Sequence, residues 1–292
     1  MSKQIDKAEI LVEALPYLRA FSDKTIVIKY GGKAMVDEDL KEQFAQDVVL
    51  MKYVGINPVV VHGGGPQISQ MMKRLGKEPV FVEGVRVTDA ETMEIVEMVL
   101  GGVINKEIVA LIHRQGGKAV GLTGKDGRLI TAKPIKSGGA HGEKRGAGLA
   151  LGLVGEVESI NPQVLASLEE DRFIPIIAPV GVGKDGKTYN INADWVAGAI
   201  AAALKAEKLL ILTDVAGILN AQRKLIPTLS KKDLSKLIKR GVINEGMLPK
   251  VQACLTALEG GVSKTHIIDG RTRHALLLEI FTDQGIGTEI IT

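Results

Sequence analysis

The sequence predicts an α/β protein: an open, mainly parallel sheet with helices on both faces, a three-layer αβα sandwich. Three observations predict it. Short Val- and Ile-rich runs alternate with longer segments of helical period, the pattern of a sheet buried on both sides. Several of those runs end in a glycine turn, as in IKYGG and VHGGGP. The composition agrees: among 292 residues there are 34 glycines, 45% hydrophobic residues and only 3% aromatics.

The elements follow in order. Ala8, Leu11, Leu15 and Leu18 recur at helical spacing, so residues 8–20 are expected as an amphipathic helix that Pro16 kinks. Thr25 to Tyr30 reads as a strand stopped by Gly31-Gly32. Residues 37–54 read as a helix closed by Gly55, and Pro58 to Val61 as a buried strand running into His62-Gly63-Gly64-Gly65-Pro66. Pro66 suits the first turn of the next helix. Thr88-Asp89-Ala90-Glu91 reads as a capping box opening a long helix to about Gln115. A strand over Lys118 to Leu122 follows, then Asp126-Gly127 as a hairpin turn. Residues 136–150 form a polar, glycine-rich excursion, read as a mobile loop. Asn161-Pro162 opens a helix to about Asp171, Phe173 to Ile177 is a buried strand, residues 194–206 an Ala-rich helix, and Leu209 to Leu212 a strand. The alternation continues to Thr292.

Composition excludes some functions. With 37 basic against 34 acidic residues the net charge is +3, which gives no bulk argument for nucleic acid or an anionic membrane. The single cysteine, Cys254, allows no intrachain disulfide, and its apolar helical stripe marks it as core filler. The first residues lack an uninterrupted apolar stretch, and no run approaches the ~18 residues of a membrane span. The expected location is therefore the cytoplasm. The five histidines show no paired metal-ligand spacing, so no protein-held metal is expected.

The run GVGKDGKT, residues 181–188, matches the phosphate-loop pattern by residue type. That chemistry also needs a helix beginning at the GK[ST]. Tyr189, Asn190, Ile191 and Asn192 are poor helix formers together, and Asp185-Gly186 is a hairpin signal. We read the run as a β-turn that delivers Asn190, Asn192 and Asp194. Phosphate would bind instead at the two early glycine turns, which expose amides beside a helix start; tight structural turns are the alternative. Lys29 sits at the carboxyl end of the first strand, where α/β ligands bind, or is simply a solvated lysine. Lys250, at a helix N-terminus, opposes the dipole and so hints at an anion. Asp194 either caps its helix or orients two lysines. Arg86 either forks onto a carboxylate or forms a surface ion pair.

Six segments in this order, IKYGG, VHGGGP, GVRVT, NINADWVA, LTDVAGIL and EGMLPK, span nearly the whole chain. Together they resemble the amino acid kinase family, in particular its branch acting on N-acetyl-L-glutamate. The resemblance implies the family's fold and phosphoryl transfer from ATP to the side-chain carboxylate of N-acetyl-L-glutamate, a step of arginine biosynthesis. It implies that Lys29 and Lys250 neutralise the transferring group and that Asp194 organises them. Gly64, Gly65, Arg86 and Asn190 match substrate contacts. Gly31, Gly32, Asp214, Gly217, Ile218 and Leu219 match the nucleotide site, with Mg2+ carried on the ATP phosphates. It further implies a substrate lobe over 23–192, an ATP lobe over 193–292, and residues 1–22 as an oligomerisation helix of a homo-hexamer, a trimer of dimers. Feedback inhibition by L-arginine is expected near His266, Glu279 and Gly287, and PII-type signalling proteins are partners of some relatives. The rival readings are a family member acting on aspartate or carbamate, a non-catalytic arginine sensor, and a phosphate-loop hydrolase.

Overall fold

A computed structural model describes residues 9–135, 151–220, 222–243 and 246–292. The excursion at 136–150 lies outside them. Strand β1 (Thr25–Tyr30) is central, because its alternating apolar side chains can be covered on both faces. It pairs in parallel with β2 (Asn57–His62) on one side and with β11 (Lys208–Thr213) on the other. Numbering the fourteen strands among the described residues in chain order, the eight-stranded sheet runs β12-β14-β13-β11-β1-β2-β8-β5. Its other members are β5 (Ala119–Thr123), β8 (Ile174–Ala178), β12 (Thr228–Ser230), β13 (Lys264–Asp269) and β14 (Thr288–Ile291). Only the β13–β14 pairing is antiparallel.

The alternation along each strand divides the core into two layers. Ile26, Ile28, Tyr30, Leu210, Leu212 and Ile268 face one layer. Helices α2 (Glu38–Tyr53), α3 (Gly65–Arg74), α4 (Ala90–Glu97), α5 (Asn105–Arg114) and α10 (Ala275–Ile280) supply its other wall. Val27, Leu209, Ile211 and Ile267 face the second layer. It is covered by α6 (Gln163–Glu170), α7 (Ala193–Leu204), α8 (Lys231–Lys239) and α9 (Leu248–Glu259). Lys29 follows Val27 by two residues, so it points into this second layer, beside α7 and α9.

The N-terminal helix is broken as Pro16 requires: residues 9–13 are helical, Ala14 is a turn, and α1 (Leu15–Phe21) resumes with proline in its first turn. Ile10, Leu11 and Val12 are 64%, 72% and 67% exposed, so this arm leaves apolar side chains unburied in the single chain. Among the described residues no helix is long and apolar enough to cross a membrane.

Three local expectations are corrected. The cap of α4 is Asp89, which accepts from Thr92 N, while Thr88 Oγ1 donates back to Arg86 O; the box was placed one residue early. The helix does not run straight to Gln115, because Met98–Ile104 is a π-helical segment between α4 and α5. Asp126-Gly127 lies in a short 3₁₀ turn (Asp126–Arg128) and joins two different sheets, so it is no hairpin. The second sheet was not foreseen. Strands β6 (Ile130–Pro134), β7 (Val154–Ile160), β9 (Val180–Gly183) and β10 (Thr188–Ile191) close into a four-stranded barrel.

GVGKDGKT is the β9–β10 hairpin, with Thr188 opposite Val182. Gly183 N donates to Lys187 O across the turn, and the next helix begins only at Ala193. Lys187 is exposed on that turn. Lys187→Ala is therefore expected to leave kcat and the KM for ATP within about twofold. Loss of ATP use in that variant would restore the phosphate-loop reading.

Candidate active site

Asp194 is the second residue of α7. It is not the cap: Asn192 is, accepting from Asp194 N at 2.8 Å. The Asp194 carboxylate is free to point across to β1 and α9. Its Oδ1 lies 3.0 Å from Lys29 Nζ and its Oδ2 lies 3.1 Å from Lys250 Nζ. Lys250 sits in the first turn of α9. One turn below, α7 and α9 touch at Gly198, where a Cβ would lie 2.6 Å from Ala253 O. That close approach brings Asp194 and Lys250 within reach, each one turn from the contact. All three side chains are nearly buried, at 11%, 17% and 6% exposure for Lys29, Lys250 and Asp194. Burial alone would raise the Asp194 pKa, but the Lys29 and Lys250 ammonium groups outweigh it and hold the carboxyl below its usual value. Two cations on one anion leave one positive charge uncompensated in a half-dry site, which suits an anionic ligand.

The glycine turns flank this cluster at the carboxyl ends of β1 and β2. Gly31 N-caps a short 3₁₀ turn, and Gly32, at φ +73°, is packed on Asp214. Asp214 Oδ1 accepts from Lys33 N at 2.6 Å, so the loop after β11 pins the turn after β1. Gly63 N donates to Tyr30 O, locking the second turn to the first strand. At Gly64 a Cβ would fall 2.5 Å from Ile104 Cδ1, whereas the Cβ side of Gly65 is open space. The Gly64 and Gly65 amides find no acceptor among the described residues, at the start of α3. Gly217 and Ile218 pack inward: Ile218 is 2% exposed and its N–H donates to Thr288 Oγ1, while Leu219 bridges Leu225.

Arg86 is 6% exposed, so it is no surface ion pair. Its Nη2 donates to Gly65 O at 2.9 Å and to Ser69 Oγ at 2.7 Å, and its guanidinium stacks 4.7 Å from the Phe81 ring centroid. No described carboxylate pairs with it, and burial pushes its pKa down. Among the described residues this guanidinium therefore has no counter-anion. Asn190 Nδ2 donates to Thr88 Oγ1 at 3.3 Å, two residues beyond Arg86. The contacts thus join Lys29, Asp194 and Lys250 with Gly31 beside the Lys29 ammonium, tie Arg86 to the second glycine turn, and tie Asn190 to Thr88.

His266, Glu279 and Gly287 are not part of it. By alternation from Ile268, His266 faces the opposite layer from Lys29. Its Nδ1 lies 2.7 Å from Glu279 Oε1, with Lys208 Nζ at 3.6 Å from the same oxygen. Burial works to raise the Glu279 pKa, but His266 and Lys208 bring it below its usual value. Gly287 abuts Ile267 O, where no Cβ would fit. Lys208 Nζ also lies 5.0 Å from the Phe21 ring centroid of α1, and Tyr17 donates to Asp283. The kinked arm therefore packs beside this cluster.

Sequence reasoning missed Ser69, Thr88, His62 and Asn105. His62 is wholly buried and its pKa is pushed down to about 4, because burial outweighs the opposing Gly63 hydrogen bond and Lys106 adds a smaller lowering. Between pH 6.5 and 4 the unfolded chain binds a proton that folded His62 refuses, so stability falls on acidification. The expected loss is about 3 kcal/mol over that range. Urea unfolding at pH 7 and pH 4.5 measures it; a His62→Gln variant with the same slope would show that another group is responsible. Cys254 is buried and its thiol is pushed up to about 12, as core filler should be.

Among the described residues no group of three or more His, Cys, Asp or Glu side chains is placed to hold a metal ion. The donor set at the lysine cluster is cationic, which suits phosphate oxygens rather than a bare cation.

Comparison with known proteins identifies the family. The amino acid kinase family model matches residues 24–269. The acetylglutamate kinase of Syntrophus aciditrophicus (strain SB) is 59% identical over 292 residues, 100% of this chain and 99% of that relative. N-acetylglutamate synthase from Neisseria gonorrhoeae, solved with coenzyme A and N-acetyl-glutamate, matches with a TM-score of 0.84 at 26% identity, covering 98% of this chain and 63% of the synthase. The same synthase with coenzyme A and L-arginine matches at a TM-score of 0.80 and 25% identity, covering 97% of this chain and 65% of the synthase. From the family match, the full-length identity and the shared fold, the chain belongs to the amino acid kinase family and is a kinase.

Proposed function

We propose that the chain transfers the γ-phosphoryl group of ATP to the side-chain carboxylate of N-acetyl-L-glutamate. A carboxylate oxygen forms the new bond to phosphorus, the bond from phosphorus to the β-phosphate oxygen breaks, and ADP leaves with its electron pair. The observation that carries the reading is the Lys29–Asp194–Lys250 cluster beside two glycine turns. Phosphoryl transfer needs positioning and charge neutralisation, and two preset ammonium groups supply the second. A carboxylate is already nucleophilic, so no general base is required, and neutral buried His62 is not asked to be one. The Gly64 and Gly65 amides offer donors to the oxygens of the reacting group. Arg86 takes the α-carboxylate, and Asn190 is a second contact. Gly31, Gly32 and Asp214 face the nucleotide, while the inward-packed Gly217 and Ile218 anchor the Asp214 to Leu219 loop from behind. Mg2+ carried on the phosphates shields their charge. The division into a substrate lobe over 23–192 and a nucleotide lobe over 193–292 belongs to the same reading. The names of the full-length relatives support the acceptor.

The test is phosphoryl transfer from Mg-ATP, trapped as the hydroxamate, with N-acetyl-L-glutamate, L-glutamate, L-aspartate and carbamate as acceptors. Turnover of the acetylated acid alone is expected. A faster control acid would overturn the substrate assignment.

Regulation forms part of this proposal. L-arginine would act at the His266–Glu279 cluster, with the N-terminal arm joining copies of the chain into a hexamer. The exposed apolar arm and its contacts with that cluster support this, as does the arginine bound by the related synthase. Arginine is expected to suppress turnover in wild type and to do so at least about tenfold less well in Glu279→Gln. Equal inhibition of both would place its site elsewhere. Light scattering of the chain with and without residues 1–22 tests the assembly.

A further inference from the structure

The π-helical segment Met98–Ile104 has no role in the reaction as described so far. Such segments recur at functional sites, because the wider turn re-aims the side chains around it. Here it does so twice. Leu100 and Ile104 lie against Gly64, with Cδ2 and Cδ1 at 2.6 and 2.5 Å from where a Cβ would stand. Asn105, the first residue of α5, is turned into the sheet and is wholly buried.

The Asn105 side chain is fully directed. Its Nδ2 donates to Ile176 O at 2.9 Å and lies 3.2 Å from His62 Nε2. Lys106 Nζ donates to Asn105 Oδ1 at 3.1 Å, which fixes the amide's orientation. Gly121 makes room for it: a Cβ there would be 1.8 Å from Asn105 Oδ1. His62 Nδ1 lies 2.9 Å from Gly63 O. A carbonyl only accepts, so Nδ1 carries the proton and Nε2 takes the Asn105 proton. The chain of contacts therefore runs from the π segment through Asn105 and His62 to the Gly63 carbonyl. Gly63 opens the turn whose Gly64 and Gly65 amides have no acceptor among the described residues. The β2–β8 and β5–β8 ladders are paired in register without these side chains. What the side chains add is the orientation of the turn.

We propose that Asn105 and His62 are positioning residues: held by the π segment, they aim the Gly64 and Gly65 amides at the oxygens of the group in transfer. The proposal rests on the reading of this turn as facing the reacting groups. Burial lowers the His62 pKa to about 4, so above that pH the ring is neutral and the direction of its hydrogen bonds does not reverse.

The test uses full-length Asn105→Ala, Asn105→Asp and His62→Gln, each first checked for a cooperative unfolding transition. Misaimed amides lose interactions made in the transition state more than in the ground state. The expected result is a fall in kcat of about tenfold or more, with the KM for both substrates within about threefold. Asn105→Asp keeps the size and the Lys106 contact but loses the donors, so it should be as slow as Asn105→Ala. The Asn105→Ala/His62→Gln double variant should be no more than about twofold slower than the slower single, because both act through one chain of contacts. Folded variants with wild-type kcat, or a conservative Asn105→Asp that restores it, would overturn the proposal. Hydrogen exchange over residues 61–68 is the second readout and needs no substrate. It is expected to speed up in Asn105→Ala, with residues 25–35 unchanged. If the wild type fails to phosphorylate N-acetyl-L-glutamate, the proposed function fails, and unchanged exchange over 61–68 separately sinks the positioning role.

Discussion

Asp194→Asn is expected to lower kcat by about three orders of magnitude or more while moving the KM for either substrate by about threefold at most. The reason is geometric. Lys29 reaches the site from β1 and Lys250 from α9, and Asp194 is the anion that faces both. Asparagine keeps the volume but leaves two adjacent cations without a counter-charge, so they splay apart. Removing one partner from a buried charge cluster also costs stability, on the order of 3 kcal/mol. The pH dependence has a definite sign. The Asp194 pKa is depressed in the folded chain, so its contribution is present above the unfolded carboxylate value and disappears as pH falls through the folded one. Wild type should lose this increment on acidification, and Asp194→Asn has none to lose. Hydroxamate kinetics and urea unfolding measure the two effects. A variant that retains more than about a tenth of wild-type kcat would remove Asp194 from the machinery.

Arg86→Lys is expected to raise the KM for the acid acceptor by about thirtyfold or more, with kcat changed much less. Charge is preserved, so the effect isolates the planar fork. Arg86 already uses donors on Gly65 O and Ser69 Oγ to fix its plane. A single ammonium cannot hold those contacts, and the one from Nη1 to Met72 Sδ, and still meet a carboxylate. The KM for ATP should stay within about twofold, since the phosphates are assigned to other residues. If the KM for ATP rises instead, Arg86 faces the nucleotide.

Much of this was legible in the sequence. β1 and β2 are short, strongly apolar runs stopped by glycine, and nothing competes with a buried parallel strand there. The GVGKDGKT hairpin was legible because Asp185-Gly186 and the Tyr189/Ile191 alternation agreed with each other against the motif. The barrel was not. Its strands are short, and β6 pairs with strands that begin only at Val154 and Val180. Register between distant segments leaves no local signature. The cap of α4 was misplaced by one residue because both Thr88 and Asp89 are good caps, and the buried Arg86 carbonyl claims Thr88. The π segment differs from an α-helix by one residue in the span of each hydrogen bond, which periodicity over so short a run does not resolve. Asn105 had a signal that was overlooked: it stands three and seven residues before Ile108 and Ile112, on their buried face. His62 has no comparable signal, since a lone histidine at a strand end carries no periodicity.

The order in which the lysine cluster is encoded has a consequence for the cell. Lys29 is made near the beginning of synthesis, Asp194 well past the middle, and Lys250 close to the end. The central strand waits as well, since Ile26 to Lys29 pair with Lys208 to Ile211. A nascent chain still on the ribosome can form its first β-α units early, but its middle strand keeps one edge unpaired until β11 emerges. Such long-range pairing folds slowly. Activity should therefore appear only after release, as a step rather than a ramp, and premature termination before α9 should yield chains with no residual turnover and an open edge that recruits chaperones.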